Sequence, residues 1–223
     1  MSKKSIEKKI NRDKDVTSNS SSISAILTDV DKYLKEKKNW NSVKWEEKEV
    51  AEIEKYKFQD KKYINKLKWE KEKRIILDDT ADVFPDKKHG LYFIRTSFKK
   101  EELEKIVGTD DDKHYNFQER IKKNNLKIKL SLVPSIIDNK HIVYNGEAEN
   151  VRQRILAHFN GYKGNACLAI GKREVLAKKD NWEYAYISLD DYEIYKDNSK
   201  KEIRLFLENA WRYRNGWPIL CLD

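Results

Sequence analysis

The sequence predicts an α+β domain behind an N-terminal helical extension, and three observations carry that expectation. Ile23, Ile26, Leu27, Val30 and Leu34 recur at steps of three and four, the period of one helix face. No glycine or proline interrupts the chain before Pro85. Beyond Pro85, short apolar or alternating runs take turns with helical stretches, so strands and helices mix in one segment of ordinary domain size.

Taken in order, residues 1–22 are lysine-rich and then serine-rich (Ser18-Asn19-Ser20-Ser21-Ser22), too polar to pay for their own ordering; they read as a flexible basic tail. Residues 23–85 read as the helical extension. Its second helix starts near Trp45 and carries Ile53, Tyr56, Tyr63 and Leu67 as apolar positions, with Trp40, Trp45 and Trp69 burying themselves against the following domain. The extension either packs on that domain or binds DNA. Residues 78–88 form a polar link. Gly90 to Thr96 is the first strand of the main domain, residues 86–223, and residues 99–107 a short helix. Leu126, Ile128, Leu130 and Leu132 alternate with Lys127, Lys129 and Ser131, the pattern of a half-buried strand. Ile142 to Tyr144 is the next strand and residues 150–159 a helix, which Gly161 and Gly164 break. Residues 167–176 read as a helix, residues 182–189 as a strand, residues 200–213 as a helix and residues 218–222 as a closing strand.

Composition narrows the function. The 223 residues are 39% hydrophobic and 38% charged, with a net charge of +9. That balance favours a polyanionic partner, DNA, RNA or an anionic membrane surface, with a merely solvating lysine-rich surface as the equal alternative. No apolar run approaches the roughly 20 residues of a membrane helix, and the basic start lacks the apolar stretch of a secretory signal. A cytoplasmic location is the expectation. Cys167 and Cys221 lie far apart with no metal spacing, so they read as free thiols and a zinc site is not expected.

The informative residues are Gly90-Leu91-Tyr92, then Tyr144-Asn145-Gly146, then Arg154 and His158. Both triplets sit on strand-like runs. Arg154 and His158 are four apart, on one helix face at the border of a stripe of Val151, Ile155, Leu156 and Phe159. A planar, permanently charged guanidinium there suits a phosphate. The bland reading is a solvated arginine and a histidine near a helix end.

Order and context together resemble the core of the GIY-YIG nuclease family, strongest from Val143 to His158 and spanning about residues 89–223. The resemblance implies a small antiparallel sheet flanked by helices, with the motif tyrosines at Tyr92 and Tyr144, the helix arginine at Arg154 and its partner one turn on at His158. It implies a metal-binding glutamate, best matched by Glu208, at the border of a stripe of Ile203, Phe206, Leu207 and Ala210. A single magnesium or manganese ion is the implied cofactor and Glu208 its ligand. The implied activity is hydrolysis of DNA phosphodiesters. One tyrosine takes a proton from water, and Arg154 stabilises the charge growing on phosphate.

Three positions depart from the family pattern. Asn145 stands where an aliphatic is usual. Glu147 follows the glycine where lysine or a small residue is common, unhelpful to phosphate unless it binds metal or pairs with Arg152. No asparagine follows Glu208 at the family's distance, with Asn209 and Asn215 the nearest. The triplets are separated by an insertion, residues 96–140, whose basic residues include Lys99, Lys100, Arg120, Lys122, Lys123, Lys127 and Lys129. Lys122, Lys123, Lys127 and Lys163 are the candidate nucleic-acid contacts. An insertion of this kind resembles the restriction-type members, so the expectation is a site-specific endonuclease of restriction or phage-defence type acting on double-stranded DNA, with a homodimer among the allowed assemblies. A catalytically inactive nucleic-acid-binding module on the same fold, and a partner-binding protein whose tyrosines are ordinary sheet residues, are the alternatives.

Overall fold

The computed structural model describes residues 22–43, 45–57, 63–75, 88–109, 114–127, 133–134, 138–162, 164–177, 181–197 and 200–221. The tail expected at residues 1–22 lies outside these residues except for Ser22. In chain order the elements are α1 (Ile23–Lys35), β1 (Asn41–Ser42), β2 (Trp45–Lys57), β3 (Tyr63–Ile75), β4 (Gly90–Thr96), α2 (Lys100–Leu103), α3 (Phe117–Lys127), β5 (Val133–Pro134), β6 (His141–Ala148), α4 (Val151–Asn160), β7 (Trp182–Ser188), α5 (Glu193–Asp197) and α6 (Lys200–Asn215). The architecture is α+β. A five-stranded antiparallel sheet runs β1-β7-β4-β6-β5, and β2 and β3 form a separate two-stranded sheet.

Strand β4 sits centrally because every one of its residues is buried, which suits a strand covered on both faces. Two apolar layers cover it. Tyr92, Ile94, Tyr144, Trp182 and Tyr184 pack with Val151, Ile155 and Phe159 of α4 and Phe117 and Ile121 of α3. On the opposite face Leu91, Phe93, Ala185 and Ile187 pack with Ile26, Leu27, Val30 and Leu34 of α1 and Leu207 and Trp211 of α6. The apolar spacing of α1 is therefore its buried face, as expected, and Ser22 caps its start by accepting from the Ala25 N–H. Asn150 caps α4 in the same way through the Gln153 N–H, and Gly161, at φ 71°, ends it in the left-handed conformation.

The insertion does not stand off the domain. Leu103, Ile106, Phe117 and Ile121 belong to the same core as the sheet. Its expected strand at residues 126–132 is corrected at its start, since Leu126 and Lys127 close α3; residues 128–132 lie outside the described part.

The second helix expected from Trp45 is instead the antiparallel hairpin of β2 and β3. Its register sets Glu46, Glu47, Lys48, Glu49, Glu52 and Glu54 opposite Arg74, Lys73, Glu72, Lys71, Lys68 and Lys66, and Ile53 opposite Leu67. Opposite charges facing across a ladder favour a sheet. The same dense mixture of acid and base serves a helix surface equally well at its own spacing, so it does not discriminate between the two. Of the three tryptophans, Trp40 is buried and donates to the Leu34 carbonyl; Trp45 is half-buried against the core; the Trp69 side chain lies outside the described residues.

Two further elements differ from expectation. Residues 167–176 hold only a 3-10 turn at Ile170–Lys172, because Ala169 adopts a left-handed φ of 49° and Arg173 turns its guanidinium onto the carbonyls of Leu168 and Ala169. Residues 218–221 form a turn rather than a strand: Pro218 has no N–H to give a ladder, and Leu220 donates a single bond to Val143 of β6.

Gly146 is a packing requirement. It lies opposite Tyr92 in the β4–β6 register, and a Cβ there would stand 2.6 Å from Cζ of the Tyr92 ring. Gly146→Ala should therefore displace that ring and cost about 1–3 kcal/mol, the usual range for overpacking. Denaturant unfolding checks this, and a variant as stable as the parent would refute the contact.

Candidate active site

Antiparallel pairing of β4 with β6 brings the two triplets onto adjacent strands despite the long insertion. Tyr92 pairs with Gly146 and Ile94 with Tyr144, so the two tyrosines share one face diagonally. Their rings stack with centroids 6.0 Å apart. Helix α4 then delivers His158 between them, 4.5 Å from the Tyr144 ring, and fully buried rather than at the border of its stripe. The Leu168 N–H donates to His158 Nδ1 over 3.2 Å. A neutral imidazole that accepts at Nδ1 carries its proton on Nε2. That proton is donated to Tyr92 Oη, 2.8 Å away.

Burial pushes the His158 pKa well below the ordinary histidine value, and the charges of Arg154 and Arg120 push it further. The ring is therefore a neutral donor at neutral pH. Burial raises Tyr92 above the usual phenol range, and the charge and hydrogen bonding of Arg154 oppose that rise. Tyr144 is raised well above the phenol range by burial and then by Tyr92, Tyr115 and Cys221. Arg154 is half-buried, and its Nη2 donates to the Ala166 carbonyl at 2.8 Å.

Glu208 lies on α6, whose Leu207 and Trp211 pack on the other face of the sheet, and its carboxylate pairs with Arg212 there. Its charge raises Tyr92, and Arg154 in turn lowers Glu208, so each lies within electrostatic reach of the others. Burial leads the causes that raise the Glu208 pKa, with Glu147 adding to it and Arg212 opposing it. The buried stripe of α6 differs from expectation. Leu207, Trp211, Arg204 and Arg212 face inward, Ile203 and Ala210 are partly buried, and Phe206 is exposed.

Arg212 organises this corner. It ion-pairs with Glu208, one turn earlier, and donates through Nε to Asn145 Oδ1 at 2.8 Å and through Nη2 to the Asn145 carbonyl at 3.1 Å. A buried guanidinium needs oxygen acceptors, and Asn145 supplies its side-chain and backbone oxygens. Glu147 pairs with Arg204. Asn209 Oδ1 accepts from Arg212 at 3.4 Å, and Asn215 is turned to Asp31 of α1.

The five expected catalytic residues gather around Tyr92, with Tyr144 and His158 in ring contact and Arg154 and Glu208 acting through their charges. Lys122 and Lys123 are exposed on α3, and Lys123 pairs with Glu119 at 2.6 Å. Lys127 closes α3 with its side chain outside the description, and Lys163 lies outside the described residues. Tyr115 and Arg120 were not anticipated at the site. The Tyr115 ring lies 6.1 Å from Tyr144 and 6.5 Å from His158, with Arg120 over its face. Nothing in their spacing announces them, whereas Glu208 and Arg212, four apart on a helix, carry a readable signal.

Among the described residues no three of histidine, cysteine, aspartate and glutamate gather as a metal-ligand group. A magnesium-type ion keeps several waters and takes one or two carboxylates plus substrate phosphate. Glu208, a half-buried carboxylate paired with Arg212, is the carboxylate among the five candidates that could hold such an ion. A groove of about 590 Å³ lined by Phe206, Asn209, Ala210, Tyr213 and Arg214 lies along α6 and holds none of the gathered five. Protein-family models, curated protein sequences and solved structures yield no match to this chain.

Two outcomes test this geometry. Because His158 stays neutral in the fold while the unfolded chain protonates it near pH 6.5, stability should fall as pH drops below about 6.5. His158→Gln should remove one proton from that slope in denaturant midpoints measured between pH 7 and 5; an unchanged slope would show that His158 is not held neutral. Arg212→Ala leaves Glu208 buried without its partner and should cost about 3–5 kcal/mol. A loss under 1 kcal/mol, on the order of a surface pair, would contradict the organising role.

Proposed function

We propose that this chain is a metal-dependent endonuclease that hydrolyses DNA phosphodiester bonds with the chemistry of the GIY-YIG family. The observation that carries the reading is the hydrogen bond from neutral His158 to Tyr92 Oη, next to Tyr144 and under the charges of Arg154 and Glu208.

Hydrolysis adds water across one P–O bond. The water oxygen bonds to phosphorus, its proton passes to a base, and the leaving oxygen departs and is protonated. Tyr92 is the better base of the two tyrosines. As a phenolate its oxygen would keep the Nε2–H bond from His158 and the nearby charge of Arg154, both of which favour the anion. Around Tyr144, burial and the oxygens of Tyr92 and Tyr115 all oppose an anion, so Tyr144 orients rather than abstracts. Arg154, a permanent cation at the site, is placed to stabilise charge developing on phosphate. A magnesium or manganese ion on Glu208 would supply further positive charge to the phosphate and leaving oxygen.

Restriction or phage-defence activity at specific sites on double-stranded DNA is the biological setting we infer. The hairpin of β2 and β3 supports it, since a two-stranded ribbon is of a size the major groove admits. Among the described residues no helix is long and apolar enough to cross a membrane.

Cleavage of a long unmodified duplex in magnesium, by the intact protein and by Glu208→Ala, tests the proposal. Discrete fragments from the intact protein alone are expected. Fragments from both would keep the nuclease and discard Glu208 as metal ligand. Cutting by neither, across several DNAs and divalent ions, would overturn the catalytic reading.

A further inference from the structure

The described arginines with buried guanidinium groups have their charge answered within the protein, with one contrast. Arg95 pairs with Glu183, Arg204 with Glu147 and Arg212 with Glu208. Arg173 has no acid, but its guanidinium donates to the carbonyls of Leu168, Ala169 and Tyr115. Arg120 has neither. Its guanidinium carbon lies 3.2 Å over the Tyr115 ring, and its Nη1 is buried with no hydrogen-bond partner.

A ring face attracts the charge of a guanidinium but leaves its in-plane N–H donors unanswered. An unmade bond at a buried donor costs on the order of 1–3 kcal/mol, and an anion lying in the guanidinium plane would recover it. The position is right for such a ligand. Tyr115 packs against Tyr144 and His158, and the charge of Arg120 acts on His158 together with that of Arg154. Arg120 is half-buried, so its side chain also meets solvent.

The mount is firm. One turn beyond Arg120, Asn124 donates to the carbonyls of Ile219 and Cys221, each at 2.9 Å. Phe117 and Ile121 anchor the same helix in the core. Helix α3 therefore presents Arg120 to the cluster from the side of the insertion.

We propose that Arg120 is a second phosphate-binding guanidinium of the site, gripping a backbone phosphate of bound DNA together with Arg154. Its ligand rests on the DNA reading above; its test does not rest on catalysis.

The experiment is binding of a short duplex DNA to the full chain without divalent metal, across a range of potassium chloride concentrations. Arg120→Gln should bind about tenfold more weakly at low salt, with the slope of log affinity against log salt shallower by about 0.9, the contribution of one phosphate contact. Arg120→Lys should keep the slope and lose part of the affinity, because an ammonium carries the charge without the fork. Wild-type affinity and slope in Arg120→Gln would overturn the proposal whether or not the protein cuts DNA. A lower melting temperature with an unchanged slope would also overturn it, since that is what a purely structural stacking role produces. If Arg120→Gln does not fold, Arg120→Lys decides, and unchanged affinity there would overturn the fork. Arg120-dependent binding by a protein that never cuts would sustain this site and overturn the nuclease reading instead.

Discussion

The ring of Tyr92 crosses the backbone at Gly146 because β4 and β6 pair in a register that sets these two residues opposite each other. Much of the site follows from that crossing. It lets the phenol lie along the sheet toward α4, where His158 donates to it. It leaves room for Tyr144 on the same face, and it keeps the cluster dry enough for burial to shift every titrating group in it. A one-residue slip of β6 would send Tyr144 to the opposite face and break the constellation, since side chains alternate along a strand.

Around that contact, buried arginines tie separate elements and one loop together. Arg212 binds both oxygens of Asn145 and the Glu208 carboxylate, tying α6 to β6. Arg173 gathers the carbonyls of Leu168, Ala169 and Tyr115, and burial pushes its pKa down to about 10. The Leu168 N–H that sets the His158 tautomer is thus part of a loop fixed by a buried cation. Such charges are costly to bury and are kept where they have partners.

Much of the domain after Pro85 is legible in its residues. Strand β4, helix α4 and helix α6 fall where glycine, alternation and helical spacing put them, and Tyr92, Tyr144 and His158 meet in space. The hairpin of β2 and β3 is not legible, because dense alternation of lysine and glutamate satisfies cross-strand pairing and helix spacing alike. Residues 167–176 mislead for another reason: their apolar run is buried as a loop, whose carbonyls are satisfied by the Arg173 guanidinium rather than by helical N–H groups. Tyr115 and Arg120 lie in an insertion that, as sequence, reads only as basic.

Local chemistry settles what is written in the residues themselves: which stretches start and stop as helices, which face of α1 is apolar, and which side chains are able to bind phosphate or move a proton. Those properties depend on near neighbours and on the period of the chain. Partnership across long separations is another matter. That Glu147 serves Arg204, that Asn145 serves Arg212, that His158 is neutral and donates to Tyr92, and that Arg120 comes within reach of it all depend on residues far apart in the chain. Burial decides them, because only a packed interior makes an unpaired donor or charge expensive enough to select one partner over water.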